Sequence, residues 1–253
     1  MIEVKELNKS FDGNSILNNI SAKFEQGKTN LIIGQSGSGK TVLLKCLLGL
    51  HHQDSGEVLY DGLSTSKMNE NQKTLLRREM GMVFQGSALF DSMTVLENVM
   101  FPLNMLTKKT EDEIIDTAQN AIKRVELENA HSKLPSELSG GMQKRVAIAR
   151  AIVMNPKYLF CDEPNSGLDP KTAIVIDNLI QEITKEYNIT TVINSHDMNS
   201  VMEIGEKIVF LLNGKKAWEG TKKDIFNTQN QAVSNFVYSS DLFKKVREMY
   251  LKK

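Results

Sequence analysis

The eight residues Gly34-Gln35-Ser36-Gly37-Ser38-Gly39-Lys40-Thr41 satisfy every fixed position of the pattern G-x-x-x-x-G-K-[ST]. The chemistry this pattern serves is phosphate binding. Gly34, Gly37 and Gly39 let the backbone turn tightly, so that successive N–H groups point inward at phosphate oxygens. A helix starting just after the loop adds partial positive charge at the same place. Lys40 is placed to reach the β- and γ-phosphates, and Thr41 to offer its hydroxyl to Mg²⁺. Three further polar clusters each follow a short apolar run: Gln85 after Met82-Val83-Phe84, Asp162-Glu163 after Tyr158 to Cys161, and His196 after Thr190 to Asn194. Hydrolysis of a nucleoside triphosphate needs held phosphates, a metal and an oriented water. Asp162 suits the metal side and Glu163 the water. His196 suits a γ-phosphate contact, and Gln85 a metal or water contact.

The elements that must carry these residues are legible from period and punctuation. Leu31-Ile32-Ile33 reads as a buried strand entering the phosphate loop, and Val42 to Gly49 as a buried helix closed by glycine. Strand signals run from Ile2 to Leu7, Ile20 to Phe24 and Thr29 to Ile33, separated by Asp12-Gly13-Asn14 and Gln26-Gly27. Phe11 lies between the first two, where an aromatic stacks on a base or packs in a core; both readings stay open. Asp61-Gly62 and Asn213-Gly214 mark tight turns. Val95 to Leu106 is helical and expected to break at Pro102. Thr110-Glu111-Asp112-Glu113 is a capping box for a helix whose apolar face is Ile114, Ile115, Ala118, Ala121, Ile122 and Val125. Ser139 is placed as the N-cap of a helix carrying Lys144, Arg145 and Arg150. Asp169-Pro170 opens an amphipathic helix with Ile176, Leu179, Ile180, Ile183 and Tyr187 on one face. Strands alternating with helices predict a parallel sheet covered on both sides, with its ligand edge at the strand C-termini.

Lys plus Arg and Asp plus Glu are both 31, so no global field favours nucleic acid. No apolar run approaches the ~20 residues that span a bilayer. Cys46 and Cys161 sit in apolar runs without a C-x-x-C pair and read as core residues of a protein kept in a reducing cytoplasm. His51-His52 reads as a solvated turn, because neighbouring histidines rarely converge on one ion. Thr221 caps a helix expected to lead out of the core. The tail from Asp241 holds Lys244, Lys245, Arg247, Lys252 and Lys253 against Glu248, either a solvated helix face or a surface for anions.

The order and spacing of the phosphate loop, Gln85, Leu138-Ser139-Gly140-Gly141, Asp162-Glu163, Asp169 and His196 resemble an ABC-transporter ATPase over residues 1–220. The resemblance implies an α/β P-loop NTPase (RecA-like) fold: a parallel sheet core, an antiparallel β subdomain and an α-helical signature subdomain at about 86–154. A helical extension at 221–253 follows. It implies ATP and Mg²⁺ as ligands and head-to-tail homodimers in which Ser139, Gly140, Gly141 and Asp169 of one chain meet ATP held by the other. Phe11 matches the aromatic that stacks on adenine. The signature ends in Met142 where Gln is usual, with Gln143 next, and the loop Ser166-Gly167-Leu168-Asp169 stands where S-A-L-D is usual. The stretch G-K-T-V-L-L-K, the run from Gly86 to Leu103 and L-S-G-G-M are similar to the Mla/Mce-type phospholipid-transport ATPases. That similarity implies an integral-membrane permease, an MCE-type lipid-binding protein and a place on the cytoplasmic face of the cytoplasmic membrane. Soluble ABC ATPases of DNA repair or iron–sulfur assembly, and non-transporting regulators of a membrane complex, are the alternatives. The long insertions or zinc cysteines of the first group are absent from this sequence.

Overall fold

The computed structural model describes residues 1–238, so the basic segment 242–253 lies outside the described residues. The chain opens with β1 (Ile2–Phe11), β2 (Asn14–Phe24) and β3 (Thr29–Ile33), then α1 (Lys40–Leu47), β4 (Ser55–Tyr60) and β5 (Leu63–Ser64). Next come α2 (Glu70–Arg78), β6 (Met80–Val83) and the helices α3 (Val95–Leu106), α4 (Glu111–Arg124) and α5 (Gly140–Ile152). β7 (Tyr158–Asp162), α6 (Pro170–Glu186), β8 (Thr190–Ser195) and α7 (Met198–Ile204) complete the site-bearing part. β9 (Lys207–Leu212), β10 (Lys215–Gly220), α8 (Lys222–Asn227) and α9 (Gln231–Val237) follow.

Two sheets result. One has the order β10-β9-β3-β8-β7-β6 and is parallel except for β10; the other is antiparallel, in the order β2-β1-β4-β5. Side chains alternate across a strand, and here both faces of the large sheet are buried. Leu31, Ile33, Leu159, Cys161, Ile193, Ile208 and Phe210 join the core beneath the helices α3 to α7. Their neighbours Ile32, Phe160, Val192, Val209 and Leu211 join a second core with α1 and the antiparallel sheet. The expected α/β architecture holds, with α3, α4 and α5 as its helical subdomain. Turn chemistry closes three hairpins: Asp12-Gly13, Asp61-Gly62 and Asn213-Gly214 each put two consecutive residues at positive φ, as a type I′ turn requires. Capping boxes at Asn69/Gln72, Thr94/Glu97, Thr110/Glu113 and Thr221/Asp224 start their helices.

Four expectations change. β1 and β2 are longer than their apolar patterns, because register shifts with Glu6 and Asn19 at positive φ break the alternation partway. Pro102 does not end α3: the proline removes the bond to one carbonyl, and the helix continues until the backbone N–H and hydroxyl of Thr107 both meet the Leu103 carbonyl. Tyr187 is the C-cap of α6 and 41% exposed, not part of its buried face. Finally, α8 and α9 do not lead away from the core. Ile225, Val233 and Val237 are fully buried in it, the Tyr238 hydroxyl donates to the Ile225 carbonyl, and the Phe236 ring lies 5.2 Å from that of Phe210.

Candidate functional site

The parallel register sets the site. Ile33 pairs with Ser195, Asp162 with Asn194, and Val83 with Cys161, so β3, β6, β7 and β8 end together. Beyond that edge lies a cleft lined by Ser36, Gly37, Lys40, Thr41, Gln85 and Glu163, with Ile16 at its mouth. Gly34 and Gly39 are required by shape: a Cβ on Gly34 would lie 2.4 Å from the Leu211 carbonyl oxygen, and one on Gly39 2.7 Å from Leu17.

Lys40 is buried, and its Nζ donates to the Gly34 and Gln35 carbonyls at 2.9 and 3.1 Å. Burial lowers its pKa, against the opposing pull of Glu163 and Asp162. Thr41 Oγ1 donates to Asp162 Oδ1 at 3.4 Å, and Asn194 Nδ2 donates to the same oxygen at 3.1 Å. Glu163 is held from two sides: Gln85 Nε2 donates to Oε2 at 3.0 Å, and His196 Nδ1 lies 2.9 Å from Oε1. Five of the sequence-predicted groups, Thr41, Asp162, Gln85, Glu163 and His196, are thus within hydrogen-bond reach of a neighbour across the sheet edge. Ser38 Oγ is buried without a hydrogen-bond partner, a hydroxyl inside the loop that a phosphate oxygen would satisfy. With the Thr41–Asp162 pair beside it, the loop fits a nucleotide triphosphate with its metal.

Ser139, Gly140, Gly141 and Asp169 do not line this cleft. Ser139 caps α5 by accepting from the Met142 N–H at 3.3 Å, and both Ser139 and Gly140 are exposed. A Cβ on Gly141 would meet Thr172 at 2.7 Å, so this glycine lets α5 approach α6. Asp169 caps α6, accepting from the Lys171 and Thr172 N–H groups at 3.1 Å each and from the Thr172 hydroxyl. Gln143 does not replace the missing glutamine at 142, since its amide donates to the Pro135 carbonyl at 3.0 Å. Phe11 stands apart from the cleft, 39% exposed, with its ring edge-on to His51 at 5.2 Å and the Lys9 ammonium over it.

Three residues escaped the sequence reading of the site. Lys144 is buried on α5 and its ammonium donates to the Gln85 carbonyl. Arg150, one helical face along, donates to the Ser87 and Ala88 carbonyls at 2.8 Å each. Asn98 on α3 donates to the Phe90 and Met93 carbonyls and accepts from the Phe90 N–H. Together they pin the loop from Gln85 to Met93, in which Ser87 and Ala88 take positive φ. A basic side chain on a helix of small residues was the available signal, since such a helix packs closely and leaves its cations facing inward.

This geometry meets its counterpart in known proteins. The ABC transporter family model matches residues 17–166. The chain belongs to the ABC transporter family. It is an ATPase and the ATP-binding subunit of an ABC transporter. Similar proteins include the methionine import ATP-binding protein MetN of Clostridium tetani, 41% identical over 96% of this chain and 76% of the relative. The intermembrane phospholipid transport system ATP-binding protein MlaF of Haemophilus influenzae is 35% identical over 94% of this chain and 90% of the relative. A solved dimeric structure of the ATP-binding cassette MJ0796, bound to ADP and Pi, superposes with a TM-score of 0.79 at 33% identity, covering 88% of this chain and 99% of that one. Among the described residues of this ABC ATPase, no helix is long and apolar enough to cross a membrane.

Proposed function

We propose that this ABC ATPase drives an integral-membrane permease that moves phospholipid between membranes, with an MCE-type lipid-binding protein as further partner. It works as a homodimer, on the cytoplasmic face of the cytoplasmic membrane, and needs Mg²⁺. Glu163 held between Gln85 and His196 supports the hydrolytic chemistry. Glu163 accepts the proton of the attacking water, while Gln85 and His196 fix the orientation of its carboxylate. Lys40, Ser38 and the loop N–H groups bind the phosphates, and Ser139, Gly140, Gly141 and Asp169 of the second chain close the site. Thr41 and Asp162, with Gln85 beside them, would hold Mg²⁺, which neutralises charge on the phosphates. Phe11 is exposed enough to take the adenine face.

Permease docking falls on the segment from Gln85 to Leu103. Leu89 packs inward, whereas Phe84 and Phe90 stay 42% and 39% exposed beside a groove that Met82, Phe101, Arg150 and Met154 also line. An apolar surface of this kind suits a partner's helix. The observation that carries the lipid assignment is the run from Gly86 to Leu103, together with the 35% identity to MlaF over 237 residues. Methionine import is the second reading, favoured by the 41% identity to MetN. Copurifying the permease and extracting its bound small molecules separates the two. Phospholipid in the extract and lipid-stimulated hydrolysis are expected; hydrolysis stimulated by methionine and indifferent to lipid favours the second reading. For the chemistry itself, Glu163→Gln is expected to keep ATP bound while turnover falls ~10²–10⁴-fold. Turnover at the wild-type rate in that variant removes Glu163 from the mechanism.

A further inference from the structure

Behind the site, and outside the cleft, lies a buried polar cluster that the phosphate chemistry does not use. Asn165, Asp177 and Ser200 are 9%, 2% and 3% exposed. Asn165 Nδ2 donates to both carboxylate oxygens of Asp177, at 3.3 and 3.2 Å, and to Ser200 Oγ at 2.7 Å. Ser200 Oγ in turn donates to Asp197 Oδ2 at 3.3 Å. The three come from different elements. Asn165 lies two residues after Glu163, Ser200 four residues after His196, and Asp177 stands in the middle of α6, where it holds Asn165, which in turn reaches Ser200. The loop at Glu163 needs such an anchor: Glu163 has φ +47°, a conformation that costs free energy in a non-glycine residue and persists only where its surroundings fix it. Packing alone does not call for the cluster, because an aliphatic residue at 177 would fill the same space without desolvating a carboxyl group.

We propose that Asn165, Asp177 and Ser200 are positioning residues, a latch that holds the Glu163 loop and the His196 loop at the spacing hydrolysis requires. The latch rests on the roles given to Glu163 and His196 above. It acts through hydrogen bonds rather than through contact with ATP. Its strength depends on charge, since an ionised carboxylate accepts the Asn165 N–H groups more strongly than a neutral one. The groups that face Asp177 are the Cys161 thiol on β7 and the carboxylates of Asp197 and Glu203 at and on α7. Burial, and then the two acidic neighbours, push the Asp177 carboxyl up to about 6, against the opposing pull of the nearby Ser200 hydroxyl and of the Asn165 amide that donates to it. The latch is tight above that pH and slackens below it.

The test measures kcat, KM and nucleotide binding for the full chain from pH 5.5 to 8. Asp177→Leu and Asn165→Ala are expected to lower kcat roughly 10- to 100-fold while nucleotide affinity stays within about twofold, the signature of a misplaced group rather than a lost binding site. Asp177→Asn keeps an acceptor oxygen opposite Asn165 but, like the neutral carboxyl, holds it less strongly, so its kcat should recover to a level between that of Asp177→Leu and that of the wild type at pH 8. It should also lack the fall in kcat that the wild type shows as pH drops through about 6. Wild-type kcat and pH profile in Asn165→Ala and Asp177→Leu overturn the proposal, as does parallel loss of kcat and nucleotide affinity without recovery in Asp177→Asn. If Asp177→Leu does not fold, Asn165→Ala and the pH profile of Asp177→Asn decide alone. Glu163→Gln run alongside separates the two levels: turnover retained there defeats the role of Glu163, whereas turnover lost there but unchanged in the latch variants defeats the latch.

Discussion

Two carboxyl groups in this protein face opposite demands. Glu163 lies at a surface where Gln85 and His196 point its oxygens, whereas Asp177 is enclosed and pays for that enclosure when it ionises. The sign follows from linkage. The folded Asp177 carboxyl titrates at about 6 against an ordinary 3.8, so between those pH values the folded state binds the proton that the unfolded chain has released. Stability is therefore highest below about pH 4 in this respect and falls as pH rises through 6, a loss of about 3 kcal/mol for a buried group displaced this far. Asp177→Asn removes the proton and the loss together. Urea denaturation at pH 8 should find that variant more stable than the wild type, with the advantage shrinking toward pH 4; equal stability at both pH values would refute the assignment. Higher stability alongside a changed pH–rate profile is what a residue kept for placement should give. Sequence showed the Glu163 side of this contrast but not the Asp177 side. Glu163 follows an apolar strand and a phosphate loop, a pattern with a mechanism. Asp177 is one more charge on an amphipathic helix, and only the tertiary approach of Asn165 and Ser200 turns it inward.

Local chemistry also decided which elements were legible. Type I′ turns and capping boxes announce themselves, because the residues that make them hydrogen-bond within three positions. The length of β1 and β2 did not, since a register shift moves the apolar set to the other face and erases the alternation. Nor did the fate of α8 and α9, which fall in an extension expected to lead out of the core. Their partner is this chain's own β9 and β10, through Ile225, Val233 and Phe236. Ile225→Ala should accordingly cost about 2–5 kcal/mol in unfolding free energy, as a large-to-small change in a closed core does. A cost near zero would mean that the helix lies loosely on the surface. The loop from Gln85 to Met93 carries a different prediction. Lys144, Arg150 and Asn98 hold its backbone from α5 and α3, so its exposed Phe90 is presented on a fixed support rather than on a mobile tip. Phe90→Ser together with Met93→Ser should lower permease-stimulated hydrolysis and transport severalfold and leave the basal rate of the isolated protein unchanged. A fully coupled transporter assembled from the doubly substituted chain defeats that role for the loop.

At the scale of the molecule, the described fold leaves its signature segment without work to do. The phosphate-loop cleft is lined by Lys40, Thr41, Gln85 and Glu163, while Ser139 and Gly140 are exposed elsewhere and contribute nothing to it. Ser139 spends its hydroxyl on capping α5, which leaves the first-turn N–H groups of Gly140 and Gly141 at a helix N-terminus suited to an anion. In the proposed homodimer, a second copy packed head to tail would supply that anion as the γ-phosphate of its own ATP; the similar cassette MJ0796 is dimeric with ADP and Pi bound. Each of the two sites would then draw Lys40 from one chain and Ser139 from the other, which makes complementation the decisive measurement. Ser139→Arg alone places a bulky cation in both sites, and Lys40→Ala alone removes a phosphate contact from both, so either homodimer should be close to inactive. In a mixed dimer, one site pairs the intact Lys40 of the Ser139→Arg chain with the intact Ser139 of the Lys40→Ala chain, and the other site carries both lesions. Mixing the two inactive proteins should therefore restore hydrolysis, up to the share of mixed dimers formed, with one working site in each. No recovery on mixing, with mixed dimers demonstrated by differently tagged chains, would show either that each chain completes its own site or that a single intact site cannot turn over. Sedimentation with ATP bound to Glu163→Gln chains distinguishes these: a monomer there excludes the shared site, and a dimer leaves two sites that must fire together.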